Sequence, residues 1–165
     1  DMDKNNPSVY ESAIKLRLEE KKYEDVLKLL EKARALHPEE IKYFILEGNM
    51  HRVLGNETKA VETLKKSISI AENKGLYCKD WANAKFALAT INVNKRSFDN
   101  ALKEVEDVKK HMPGNLHAYI MAGDIYGVKG MFDKSRDSFN AALKIDPNNQ
   151  NAKKGLEQIK QITGK

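Results

Sequence analysis

Residues 116–149 read LHAYIMAGDIYGVKGMFDKSRDSFNAALKIDPNN. Leu116, Tyr119, Ala122, Gly123 and Tyr126 recur at helical spacing and draw a single apolar stripe. Lys129-Gly130 then breaks the helix, because glycine takes the left-handed conformation of a C-cap without the Cβ penalty. Phe132, Ser135, Phe139, Ala142 and Leu143 draw a second stripe. Asp146-Pro147 closes it, since proline disfavours helix at the residue before it. The stretch predicts two antiparallel helices. An isolated pair cannot bury both stripes, so it requires neighbours of its own kind.

Those neighbours are present in the sequence. Ile14, Gly48, Ala89 and Gly123 lie 34, 41 and 34 residues apart, and other landmarks keep the same intervals. One aromatic slot reads Tyr10, Phe44, Lys85, Tyr119, and another reads Tyr23, Glu57, Phe98, Phe132. Small residues follow at Val26, Ala60, Ala101 and Ser135, then bulky ones at Leu30, Leu64, Val105 and Phe139. A second small slot holds Ala33, Ser67, Val108 and Ala142, and the closing slot reads Pro38, Glu72, Pro113, Pro147. Four units result: 7–40, 41–74, 82–115 and 116–149, after a short extension at 1–6. Gly55 takes the inter-helix turn of the second unit, while Lys21 and Arg96 stand at that place in the first and third. Residues 75–81 are inserted, and with Glu72 in place of proline they predict a longer second helix there and a next helix starting near Tyr77–Asp80. Residues 150–165 form a cap and tail: Ala152, Leu156, Ile159 and Ile162 share one face of a further helix, and Lys153, Lys154, Glu157, Lys160 and Gln161 lie elsewhere.

The pattern Tyr119…Ala122-Gly123…Tyr126…Gly130…Phe132…Ser135…Phe139…Ala142…Pro147 resembles the tetratricopeptide-repeat (TPR) family. Four units in register, three ending in proline, carry that resemblance over residues 7–149. It implies an all-α, right-handed α-solenoid of stacked helix-turn-helix repeats. It also implies a non-catalytic adaptor or scaffold that binds a partner peptide or helix in the concave groove lined by the first helices. A second expectation is a regulatory or assembly arm of a larger multidomain protein, mediating self-association or interdomain contacts.

The residues add the chemistry of that groove. With the core slots turned inward, the other side of each first helix presents three columns. They are Ser8, Lys42, Asn83, His117; then Glu11, Ile45, Phe86, Ile120; then Lys15, Asn49, Thr90, Asp124. Ile45, Phe86 and Ile120 are apolar where a solvated face would carry Lys or Glu, and a polar-rimmed apolar strip is a binding signature. The expectation is apolar anchoring on these three, with polar framing by Lys42, Asn49, Asn83, Thr90, His117 and Asp124. The opposing account is that neighbouring helices cover the strip. One subgroup of the family clamps the C-terminal carboxylates of chaperone tails with basic first-helix residues. This chain has Ile45, Phe86, Ala87, Ile120 and Met121 where those would stand, which argues against such a clamp.

Composition supports a binding rather than a chemical role. Of 165 residues, 41% are hydrophobic, enough for a core, and no run approaches a membrane span. The net charge of +5 is small beside 29 basic and 24 acidic residues. Lys and Glu alternate along helices as on ordinary solvated faces, which argues against nucleic acid as the partner. The polar start Asp1-Met2-Asp3-Lys4-Asn5-Asn6 has no signal-peptide apolar core, and the one cysteine, Cys78, allows no internal disulfide. A cytoplasmic setting is therefore expected. His37 and His111 stand near the ends of second helices, where an imidazole can meet free carbonyls. With no His-x-x-x-His or Cys-x-x-Cys spacing, neither a metal nor any other cofactor is expected. Cys78 reads as a buried or idle thiol with no base nearby. No Gly-rich phosphate loop or catalytic constellation is present, and no small-molecule substrate is implied. Trp81 reads as packing between the second and third units, and Asn56, after Gly55, as a helix N-cap.

Overall fold

The computed structural model describes residues 6–164. The extension at 1–6 therefore lies, except for Asn6, outside the described residues, as does Lys165. Nine helices and no strands occur among the described residues: α1 (Pro7–Glu19), α2 (Tyr23–Leu36), α3 (Ile41–Val53), α4 (Glu57–Asn73), α5 (Lys79–Asn94), α6 (Phe98–His111), α7 (Leu116–Val128), α8 (Phe132–Ile145) and α9 (Gln150–Thr163). The chain is all-α and built of repeated helix pairs, as the 34-residue periodicity requires. It divides into two compact units, one up to Ala87 and one from Leu88, with the division inside α5.

The four inter-helix turns are alike. Lys21, Gly55, Arg96 and Gly130 all take positive φ, at 57°, 75°, 59° and 73°. Each turn is closed by a backbone N–H donating five residues back. Lys22 bonds Arg17 at 2.9 Å, Asn56 bonds His51 at 2.7 Å, Ser97 bonds Asn92 at 2.8 Å and Met131 bonds Tyr126 at 2.9 Å. This is the Schellman closure that satisfies orphan carbonyls at a helix end. Glycine is the unstrained residue for it, and Lys21 and Arg96 adopt it against the usual preference of L-residues. Asn115 and Asn149 cap α7 and α9, accepting from Ala118 N at 3.2 Å and Ala152 N at 3.1 Å. Asn56 occupies the N-cap position of α4 without a side-chain bond.

In the first unit, Ile14, Val26, Leu30, Ala33, Tyr43 and Met50 make a buried cluster joining α1, α2 and α3. Gly48 lets α3 approach α4: a Cβ there would meet Leu64 Cγ at 2.7 Å. The long α4 and the start of α5 are joined by the two residues that depart most from the repeat pattern. Glu72, in the proline slot, lies 3.5 Å from the Nζ of Lys85, in the aromatic slot. The same carboxylate oxygen accepts from Trp81 Nε1 at 3.1 Å. Trp81 is 1% exposed, with Tyr77 edge-on to it at 5.1 Å. The insertion thus makes its own corner, with a buried indole and ammonium sharing one acid. Cys78 is exposed at this corner, on the solvent side of the bend before α5, so of the expected buried or idle thiol the buried alternative is corrected.

In the second unit, Phe139 of α8 lies between two glycines. A Cβ on Gly123 of α7 would meet its ring at 2.7 Å, and one on Gly155 of α9 would come closer still. Ile120, Phe139, Ala142, Ala152 and Ile159 form the buried cluster here. α9 packs on α7 and α8 in the manner of another first helix. Its buried Ala152 and Ile159 fall where Ala118 and Ile125 fall in α7. Glu157, exposed, replaces the buried Gly123 at the place where a second helix would have docked. One apolar face is thereby covered, and a charged face is left wet.

Candidate binding clefts on the first helices

The first helices make a recurring cleft in each unit. In the first unit, Glu11, Ile14, Lys15 and Leu18 of α1 face Lys42, Tyr43 and Leu46 of α3 across a space of about 300 Å³. At its mouth the Lys42 ammonium donates to Glu11 Oε1 at 2.6 Å. That bond holds the Lys42 pKa above the ordinary lysine value. Burial raises the Tyr43 phenol, whose hydroxyl finds no hydrogen-bond partner among the described residues.

In the second unit, Thr90 and Val93 of α5 and Phe98 of α6 face Met121, Asp124, Ile125 and Val128 of α7 across about 210 Å³. Thr90, Val93 and Met121 stand at the repeat positions of Lys15, Leu18 and Leu46, so this is the same cleft with other side chains. A further cleft, of about 310 Å³, runs between α7 and α9. Gly123, Asp124, Gly127 and Val128 form one wall, and Gly155, Gln158, Ile159 and Ile162 form the other. Asp124 and Val128 line both of these clefts.

Burial raises the Asp124 carboxyl above the ordinary aspartate range, and the nearby His117 pulls it partly back. The residue remains exposed on its outer side. Its carboxylate is therefore both reachable and incompletely hydrated, which penalises the charged form.

The sequence-derived columns are recovered only in part. Lys42 borders the first cleft, and Thr90 and Asp124 line the second; His117, exposed, neighbours Asp124. Asn49 is half-buried and Asn83 exposed, and neither lines these clefts. The expected exposed strip needs correction. Ile45 is 9% and Ile120 8% exposed, and Phe86 is half-buried. Ile120 is in the core because its position on α7 turns toward the next helix, α9, whose Ala152 and Ile159 share its cluster. Ile45 holds the same repeat position on α3.

The apolar residues that do face the clefts stand one place further along, at Leu46 and Met121. Val53 and Val128 extend the exposed apolar surface, at 52% and 67%. A one-residue shift rotates a helical position by about 100°, enough to move it from the cleft to the core. Leu18, Tyr43, Leu46, Val93, Phe98, Met121 and Val128 were thus missed. The usable signal was the recurrence of an apolar residue at Leu46 and Met121, where the core stripe predicts none.

Elsewhere the histidines differ: buried His37 Nε2 and His51 Nδ1 find no hydrogen-bond partner among the described residues, whereas His111 meets a carbonyl. His111 Nδ1 lies 3.0 Å from the carbonyl oxygen of Asp107, at the end of α6. His51 is buried beside Glu47, which also pairs with Arg34. No group of three or more His, Cys, Asp or Glu able to hold a metal ion occurs among the described residues. No helix among them is long and apolar enough to cross a membrane.

Comparison with known proteins agrees with this architecture. A family model described as tetratricopeptide repeat matches residues 41–74 and 116–149. The chain is 29% identical over 142 residues to a TPR repeat-containing protein of Methanocaldococcus jannaschii, covering 86% of this chain and 24% of that protein. It is 35% identical over 68 residues to anaphase-promoting complex subunit 3 of Dictyostelium discoideum, covering 41% and 7%. The chain spans about a quarter or less of the length of the curated relatives it matches. Among solved structures it resembles BtubC from P. vanneervenii, with TM-score 0.81, 18% identity and coverage of 94% of this chain and 72% of that one. It also resembles MamA from Desulfovibrio magneticus RS-1, with TM-score 0.77, 18% identity and coverage of 98% and 86%.

Proposed function

Since the chain belongs to the tetratricopeptide-repeat family, we propose that it is a non-catalytic scaffold that holds a segment of a partner protein against its first helices. The recurrence of one cleft carries this reading. Both units present an apolar trough between consecutive first helices, edged by polar groups, where a helix face meant only for water would carry charge throughout. Leu18 and Leu46 supply apolar contact in the first unit, and Val93, Met121 and Val128 supply it in the second. Lys42, with Glu11 and Lys15, furnishes polar framing in the first unit, and Thr90 and Asp124 furnish it in the second; Asn49, Asn83 and His117 lie off these clefts. Such a trough suits an extended strand or one face of a helix. Phe86, half-buried, gives a smaller edge contact, and Ile45 and Ile120 support the cleft walls from beneath.

Affinity capture from native lysate tests the reading. Leu46→Glu and Met121→Glu each place a charge in a trough without touching a fully buried position. Proteins captured by the wild type should be lost from one or both variants while helicity by circular dichroism is unchanged. An identical captured set would remove the proposal. The relatives' greater length favours a second reading, in which the chain is an assembly arm of a larger protein. Solution mass against concentration separates the two, since an arm that joins copies of itself gains mass where a peptide-binding scaffold stays monomeric.

A further inference from the structure

Asp124 is anomalous in its surroundings. Almost a third of the chain is charged, at 32%. Yet Asp124 is the one ionisable side chain lining either the α5–α7 or the α7–α9 cleft. Its neighbours there are Val93, Phe98, Met121, Ile125 and Val128 on one side, and Gly155, Gln158, Ile159 and Ile162 on the other. Several acids elsewhere have cations at hand: Glu11 has Lys42, Glu47 has Arg34, Asp99 has Lys129, Glu106 has Lys109 and Asp133 has Arg136. No hydrogen bond or ion pair holds Asp124 among the described residues. The matching cleft of the first unit differs, because the Lys42–Glu11 pair spans its mouth.

Resting on the scaffold reading, we propose that the α5–α7 cleft selects partner segments carrying a lysine or arginine within one helical turn of an aliphatic or methionine side chain. The cation meets Asp124, and the apolar chain enters between Val93, Phe98 and Met121. Charge complementarity favours this occupant over the alternatives. An acidic segment would face an uncompensated carboxylate, and a wholly apolar one would bury that carboxylate without a countercharge, which costs more than leaving it in water. Nucleic acid is disfavoured by the same negative group. An Asp124 already partly dehydrated loses less hydration on pairing, and the ordered wall of α7 fixes its position in advance. Val128, exposed at the far end of the cleft, leaves that end open for the chain to continue.

A random twelve-residue peptide library displayed on phage, selected against the whole chain, provides the probes. Enriched peptides should share a basic residue within about four positions of Leu, Ile or Met. Measured by fluorescence polarisation, Asp124→Asn should weaken them about tenfold, the loss of one charge-assisted contact at a half-exposed site. Added salt should weaken the wild-type complex and affect the Asp124→Asn complex much less. Asp124→Lys should abolish binding, and replacing the peptide's basic residue with glutamate should recover it. Asp124 is exposed on its outer side, so circular dichroism should find both variants folded.

Enriched peptides without a basic residue, or an affinity unmoved by Asp124→Asn, would overturn this inference and leave the scaffold reading standing. A library yielding no peptide sensitive to either Asp124→Asn or Met121→Glu would count against the scaffold reading itself. A chain that dimerises at these concentrations, with the dimer lost in Asp124→Asn, would give the cleft to a second copy and also overturn it.

Discussion

The Ser135 hydroxyl donates a 2.7 Å hydrogen bond to the carbonyl oxygen of Gly123, deep between α8 and α7. The two backbones can come this close because neither residue carries a large side chain. Ser135→Ala keeps the volume and removes the bond, and it should cost about 1 kcal/mol. Gly123→Ala adds a Cβ 2.7 Å from the buried Phe139 ring. Alanine ordinarily gains about 1 kcal/mol over glycine inside a helix, but here the overpacking should cost about 1–3 kcal/mol. Adding Phe139→Leu to Gly123→Ala should recover part of the clash term. Chemical denaturation of the single and double variants gives the coupling.

Lys21 and Arg96 hold the left-handed conformation that Gly55 and Gly130 hold without strain. Lys21→Gly and Arg96→Gly should each stabilise by up to about 1 kcal/mol, the steric cost of that conformation less the added freedom of an unfolded glycine. Gly55→Ala should destabilise by a similar amount. A Cβ there meets nothing within 4 Å, so the loss would come from the backbone alone. Midpoints of thermal unfolding check all three.

Glu72 serves two donors at the corner between α4 and α5, the Lys85 ammonium and the Trp81 indole. Glu72→Ala should destabilise by about 1–3 kcal/mol, more than an exposed ion pair would, because Lys85 and Trp81 are buried. Lys85→Met made in the same chain should restore much of that loss. A double-mutant cycle in urea measures the coupling, and additive effects would contradict the shared-acid geometry.

The Asp124 carboxyl, raised by burial, gives a pH dependence with a definite sign. A folded pKa above the unfolded one means that the native state binds the proton more tightly. Its contribution is then fully favourable below the unfolded value and is lost as pH rises through the folded one. Asp124→Asn should therefore stabilise the chain at neutral pH. The gain stays below about 1 kcal/mol because the carboxylate is half open to water. It should shrink as pH falls through and below the carboxylate range. Melting curves of both proteins across acidic to neutral pH test this, and a gain that grows on acidification would contradict it.

The helix pairs, their turns and the extra final helix were legible because each rests on local chemistry repeated at fixed spacing. Gly123 and Phe139 announce a close helix contact, and Gly130 announces a turn. The helices around the insertion were also foreseeable from its length. The meaning of Glu72 and Lys85 was not, since each alone is a departure from pattern and only their proximity makes sense of both. The face of the first helices was misplaced by one residue for a different reason. A stripe identifies the core side of a helix, but its flanks are decided by the neighbouring helix. Ile120 looks exposed until α9 lies over it. Asp124 was legible as a polar residue on that face, and it lines two clefts, though its isolation among apolar side chains is a fact of three dimensions.

The Phe139 ring, wedged between the backbones of α7 and α9, makes those helices share one fate. α9 cannot peel away without opening a void against the ring, and α7 cannot shift without losing its seat. Amide exchange in α7, α8 and α9 should then slow and quicken together as a single cooperative block, with little fraying of the last helix on its own. A terminal helix is ordinarily the first part of a repeat array to melt; here one aromatic side chain converts it into a lock.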